Sequence, residues 1–88
     1  MKSQTEQKVR QILVNVFKDD IDLGSIGLDE KFSELGLSSL NFMKAIVIIE
    51  SEFDLEFEDE DLKVSNFENL GTLVEFVNSK LEIKKEVV

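Results

Sequence analysis

Residues 36–53 read GLSSLNFMKAIVIIESEF: a glycine turn, two adjacent serines, and an apolar run that meets acid only at its end. As a helix turning about 100° per residue, this stretch carries two apolar arcs rather than one. Phe42, Ala45, Ile46, Ile49 and Phe53 fall on one side at the i, i+3, i+4, i+7 spacing of a core-facing stripe. Leu40, Met43 and Val47 fall on roughly the opposite side. A surface helix in a small domain needs one buried face, so the second arc is either packed by a neighbouring element or offered to a partner.

Helical spacing recurs on both flanks. Val9, Ile12, Leu13, Val16 and Phe17 predict a first helix ending near Lys18, with Ser3 and Glu6 spaced as a capping box. Its Lys8, Arg10 and Gln11 are expected on a solvated face. Leu70, Leu73, Val74, Val77 and Leu81 predict a last helix, started by Asn69 or by the Ser65 and Glu68 pair, with Phe67 and Phe76 adding bulk to the core. Residues 19–37 form a long connection with glycines at 24, 27 and 36. Such loops are uncommon in compact domains unless anchored or functional. Ile21, Leu23, Ile26, Leu28, Phe32 and Leu35 are the expected anchors, with a helical turn over 29–35 and Gly36 reversing the chain.

Eight of the twelve residues 50–61 are acidic, and none is basic. The alternation of Phe53, Leu55 and Phe57 has the period of a strand, but one isolated strand has nothing to pair with. An extended connection plugging the core is expected instead, followed by a short third helix over 59–63. A calcium loop starting at Asp54 fails its template: the sixth position is Asp59 rather than glycine, and the twelfth is Ser65 rather than glutamate. No metal site is predicted.

The 88 residues suit one domain over 1–88, ordered from about 3 to 81, with 82–88 expected to fray. The absence of cysteine excludes disulfides and cysteine-based zinc sites. The absence of histidine removes the usual general base and the commonest metal ligand. A net charge of −9 opposes nucleic-acid binding and favours basic protein partners. The longest apolar run, 45–49, is far short of a membrane span, and no signal peptide precedes the first helix. A soluble, cytoplasmic monomer without membrane insertion is expected.

The two serines have different uses. Ser38 suits the helix N-cap, where its hydroxyl accepts from an amide one turn in. Ser39 is then the first helical residue, exposed at the positive end of the helix dipole, where an attached phosphate would be stabilised. Both serines could instead serve capping alone, although one cap accounts for one serine. Ser39 as an enzymatic nucleophile lacks a base, since Lys44 lies about 140° away around the helix; no catalytic residue is assigned.

A helix, an anchored loop with Phe32 and Leu35-Gly36, a serine-initiated helix ending at Glu50 and Phe53, the acidic FDLEFEDEDL, a short helix and the NFENLGTLVEFV ending together resemble an acyl or peptidyl carrier protein over residues 5–81. The family motif Gly-x-Asp-Ser-Leu is approached by Gly36-Leu37-Ser38-Ser39-Leu40. The resemblance implies an all-α, four-helix carrier bundle: three longer helices, one short third helix, and a long loop between the first two. It implies that Ser39 receives phosphopantetheine from coenzyme A, whose thiol carries an acyl or aminoacyl group as a thioester, and that the chain itself is not an enzyme.

The partners it implies are a phosphopantetheinyl transferase, an acyl- or aminoacyl-loading enzyme, and downstream processing enzymes with basic docking patches. Ser38, Leu40, Met43, Lys44, Val47 and Glu50 are the implied partner-binding residues. Two positions depart from the family pattern: Ser38 stands where aspartate is usual, and Lys44 where an acid is common in fatty-acid-type carriers. Both make the recognition face less negative, which points to a dedicated partner set in a specialised lipid, polyketide or nonribosomal-peptide pathway. Ser38 also sustains the alternative of an unmodified acidic helical adaptor that only binds a protein partner.

Overall fold

The structure, a computed structural model, describes the backbone of residues 2–62 and 64–87 and the side chains of residues 4–62 and 66–83. Three α-helices carry the fold: α1 (Lys2–Phe17), α2 (Ser39–Phe53) and α3 (Leu70–Val87). A 3-10 turn (Phe32–Leu35) lies between α1 and α2, and two more (Asp59–Asp61 and Val64–Phe67) lie between α2 and α3. The all-α carrier-bundle class holds, but the short third helix is two 3-10 turns. The run Asp59, Glu60, Asp61 gives only one tight turn, closed where the Leu62 amide donates to the Asp59 carbonyl at 3.1 Å.

Helical periodicity translates directly into the core. α1 contributes Val9, Ile12, Leu13 and Phe17, α2 Ala45, Ile46 and Ile49, and α3 Leu70, Leu73, Val74 and Val77, all buried. α1 packs against both other helices. Thr5, the one buried polar side chain among the described residues of α1, donates its hydroxyl to Asn78 Oδ1 at 2.7 Å and so ties α1 to α3.

A chain of phenyl rings runs through the space between the elements. Phe42 of α2 meets Phe17 at 6.4 Å, Phe32 at 5.2 Å and Phe67 at 6.0 Å; Phe67 meets Phe76 of α3 at 5.9 Å, and Phe76 meets Phe57 at 5.1 Å. Pairs at such distances contribute about 0.5–1.5 kcal/mol each beyond area burial. This packing explains why the Phe53, Leu55, Phe57 alternation forms no strand: all three are partly buried against the core.

The α1–α2 loop is anchored as expected by Leu23, Ile26 and Phe32, all buried, with Ile21 and Leu35 packed at the margin. Leu28 is exposed, contrary to expectation, because the loop is held there by its backbone: the Gly71 amide donates to the Leu28 carbonyl at 2.8 Å. A methyl at Gly71 would sit 3.0 Å from that carbonyl oxygen, so an alanine there would have to push the loop back by a few tenths of an ångström. Arg10 is not idle on a solvated face. Its guanidinium donates to the carbonyls of Ile26 at 2.7 Å and Gly24 at 3.3 Å while pairing with Glu6 at 3.2 Å.

Three further boundaries differ from expectation or sharpen it. α1 already includes Ser3, so that residue is helical rather than a cap by backbone, and its side chain lies outside the described residues. α3 is capped by Asn69, whose Oδ1 accepts from the Thr72 amide at 2.8 Å, as Thr72 Oγ1 accepts from the Asn69 amide at 3.2 Å. The alternative Ser65 cap lies outside the described side chains. α3 then continues to Val87, past Leu81, which packs against the core and ends the apolar stripe. The following EIKKE is made mostly of good helix formers.

The acidic segment is fastened at its far end. Lys80 of α3 pairs with Asp61 at 2.6 Å in a partly buried site, and Asn66 donates to the Asp61 carbonyl at 2.7 Å. The carboxylates at 52, 54, 56, 58, 59 and 60 stay exposed. Their mutual repulsion should be relieved by screening. Added salt or magnesium is therefore expected to raise the melting temperature by a few degrees in a thermal scan; an unchanged midpoint would show that this repulsion does not limit stability.

Candidate functional site

The site is built by a backbone reversal. Gly36 has φ 67° and ψ 32°, the left-handed conformation that disfavours side chains, and turns the chain from the first 3-10 turn into α2. No atom would contact a methyl there, so the glycine is required by conformation rather than by space. Gly36→Ala is expected to cost about 1–2 kcal/mol, read as a lower melting temperature. A change under a few tenths of a kcal/mol would mean the turn relaxes without penalty.

Ser38 follows in extended conformation and caps α2, its Oγ accepting from the Asn41 amide at 3.4 Å while its carbonyl accepts from the Phe42 amide at 2.9 Å. Asn41 also donates its side-chain amide to Asp20 Oδ2 at 3.3 Å, which links the helix start to the end of α1. The amides of Ser39 and Leu40 are left without intrahelical acceptors, at the positive end of a 15-residue helix. Ser39 is exposed, and among the described residues its hydroxyl has no hydrogen-bond partner.

Beside Ser39 lies an open groove of about 340 Å³. It is walled by Phe32 from the loop, Phe42, Met43 and Ile46 from α2, and Leu62 and Phe67 from the α2–α3 connection; Ser33, Leu37 and Ser39 complete it. Among the described residues no charged side chain lines it. Sequence reading found Ser39 and the α2 residues but not the groove, because Leu62 and Phe67 reach it only through tertiary packing.

The second arc of α2 is left bare. Leu40 is 70% exposed, Met43 50% and Val47 59%, with Ile48 beside them at 39%. Among the described residues no neighbouring element covers this arc. Lys44 is exposed within this strip. Glu50 is used differently: its Oε2 accepts from the Phe57 amide at 2.8 Å, and its carbonyl accepts from the Leu55 amide at 2.8 Å. That carboxylate holds the acidic segment against the end of α2, seven residues from its donor in sequence, a tertiary role no helical spacing discloses. Among the described residues no group of acidic side chains could hold a metal ion, and no helix is long and apolar enough to cross a membrane.

Comparison with known proteins gives matches of three kinds. The family model for the phosphopantetheine attachment site matches residues 7–77. The acyl carrier protein of Clostridium perfringens (strain SM101 / Type A) is 30% identical over 78 residues, which covers 85% of this chain and 95% of that protein. A chain in the crystal structure of Bradyrhizobium japonicum glycine:[carrier protein] ligase complexed with glycylated carrier protein superposes with a TM-score of 0.74, covering 82% of this chain and 96% of its own. At 17% identity, that likeness concerns the fold alone.

Proposed function

This chain belongs to the phosphopantetheine-attachment family of acyl and peptidyl carrier proteins, and on that footing we propose that Ser39 bears the arm and that the groove beside it shelters the cargo. The family's cofactor is covalently attached phosphopantetheine. The observation that carries the assignment is the Ser39 hydroxyl, exposed, unbonded, first in α2, and on the wall of an uncharged groove.

The residues present fit the group. Ser39 Oγ would provide the oxygen of the phosphodiester, and the free amides of the first turn would stabilise its negative charge. Ser38 holds that turn in place through Asn41. When bound, the arm supplies the thiol that holds the cargo as a thioester, a group this cysteine-free chain cannot offer. The chain acts as a non-catalytic carrier in the cytoplasm, a substrate for a phosphopantetheinyl transferase, a loading enzyme and downstream enzymes of a specialised lipid, polyketide or nonribosomal-peptide pathway.

The groove favours an apolar acyl cargo. Its volume is about twice that of the ~150 Å³ apolar cavity known to hold benzene, and among the described residues no carboxylate lines it to receive an ammonium group. An aminoacyl cargo is the second reading, supported by the glycylated carrier protein named in the Bradyrhizobium complex. Octanoyl and glycyl forms separate the two: octanoyl should shift the ring resonances of Phe42 and Phe67, and glycyl should leave them in place. Equal spectra would remove the groove as a cargo site.

Thiol titration tests the carrier reading itself. After incubation with coenzyme A, magnesium and a broad-specificity transferase, the purified wild-type chain should gain one titratable thiol, and Ser39→Ala none. A folded wild-type chain that gains no thiol would favour the unmodified adaptor, for which Ser38 in the aspartate position speaks.

A further inference from the structure

The exposed face of α2 carries a cation in a chain that is acidic overall. The chain carries 19 acidic residues, yet Lys44 is the single charged residue in 39–49. It lines a shallow depression with Leu40, Met43, Val47 and Ile48, beside no acidic side chain. Among the described residues no carboxylate pairs with it, although Lys8, Arg10 and Lys80 all find one. The exposed acids begin at Glu52, eight residues on, or about 12 Å along the helix axis. The face is therefore apolar with a lone cation near Ser39 and strongly negative beyond two helical turns.

An enzyme that covers the apolar strip must also take Lys44 out of water, because that side chain shares the depression. A desolvated ammonium group requires an acceptor, and a carboxylate is the one that matches its charge. We propose that the phosphopantetheinyl transferase acting on Ser39 seats on α2 through an apolar socket that places a carboxylate against Lys44, with its cations lying about 12 Å or more further along, opposite the acidic segment. The pairing selects against transferases that present a basic residue at the Lys44 position, where like charges would meet. This inference rests on the carrier reading, since that reading is what brings a transferase to Ser39.

The test is the kcat/KM for modification by the phosphopantetheinyl transferase of the source organism, followed by intact mass at low salt. Wild type is compared with Lys44→Gln, Lys44→Glu and Gln11→Glu; the last adds the same unit of negative charge as Lys44→Gln on an exposed position of α1. Lys44→Glu is expected to lose at least about tenfold and Lys44→Gln about threefold, with Gln11→Glu within about twofold of wild type. Higher salt should narrow the gap. A Lys44→Glu chain modified as fast as wild type, or faster, would overturn the proposal, because a lysine that merely extends its ammonium into solvent tolerates reversal. A wild-type chain that this transferase leaves unmodified while folded would bring down the carrier reading and the inference together. Rapid modification of both would bring down the inference alone.

Discussion

Replacing Phe17 with alanine should cost about 3–5 kcal/mol of folding stability. The side chain is fully buried at the end of α1, stacks on the Phe42 ring, and sits where the Phe17 carbonyl accepts from the amides of both Asp20 and Ile21 at 2.9 Å. Truncation leaves a cavity under the turn that launches the α1–α2 loop, and Phe42 loses one of its three ring partners. A domain of this length has roughly 4–13 kcal/mol in all, so the loss is a large share of the total. Thermal unfolding followed by circular dichroism should show a midpoint lower by about 15 °C or more. Val47→Ala, on the exposed face, is the control and should stay within about 0.5 kcal/mol of wild type. A Phe17→Ala loss under about 1 kcal/mol would mean that the ring chain repacks around the gap and does not define the core.

The second large effect is expected at Val47 and is functional rather than structural. Val47→Glu places a carboxylate in the middle of the bare strip of α2, where a docked enzyme would have to desolvate it. Central interface residues cost about 2 kcal/mol or more when removed, and an unpaired charge adds to that. The kcat/KM for Ser39 modification should fall by about a hundredfold, while the circular-dichroism spectrum and melting temperature remain those of wild type. Val47 is a cleaner probe than Met43, since Met43 lines both the α2 depression and the groove beside Ser39. Met43→Glu should therefore disturb docking and cargo shelter together. Unchanged transfer in Val47→Glu would remove the second arc as an interface.

The second effect traces to a helix, α2, whose two faces were legible from spacing alone. Alternate arcs at 3.6-residue period are a property of the backbone, so Ala45, Ile46 and Ile49 are buried and Leu40, Met43 and Val47 exposed as the wheel places them. The caps at Ser38 and Asn69 were equally local, each closed within three residues. What spacing could not disclose depends on distant partners. Leu28 looks like an anchor until its carbonyl is found on the Gly71 amide, and the hold of the Glu50 carboxylate on the Phe57 amide is a tie that helical spacing does not show. The Asp61 to Lys80 pair crosses from the acidic segment to α3, and the groove needs four separate stretches of chain to form its walls. The replacement of a short α-helix by two 3-10 turns is a matter of a few residues between strong elements, where local propensity is weak and packing decides.

The central claim is that Ser39, and not its neighbour, holds the arm. The most direct measurement is intact mass with fragment-level localisation after reaction with coenzyme A, magnesium and transferase, for wild type, Ser38→Ala and Ser39→Ala. One phosphopantetheine should appear on wild type and on Ser38→Ala, the latter less stable by about 1 kcal/mol through loss of the cap, with fragments placing the added mass on residue 39. Ser39→Ala should remain unmodified. A modified Ser39→Ala chain, or fragments that place the added mass on Ser38, would contradict the assignment.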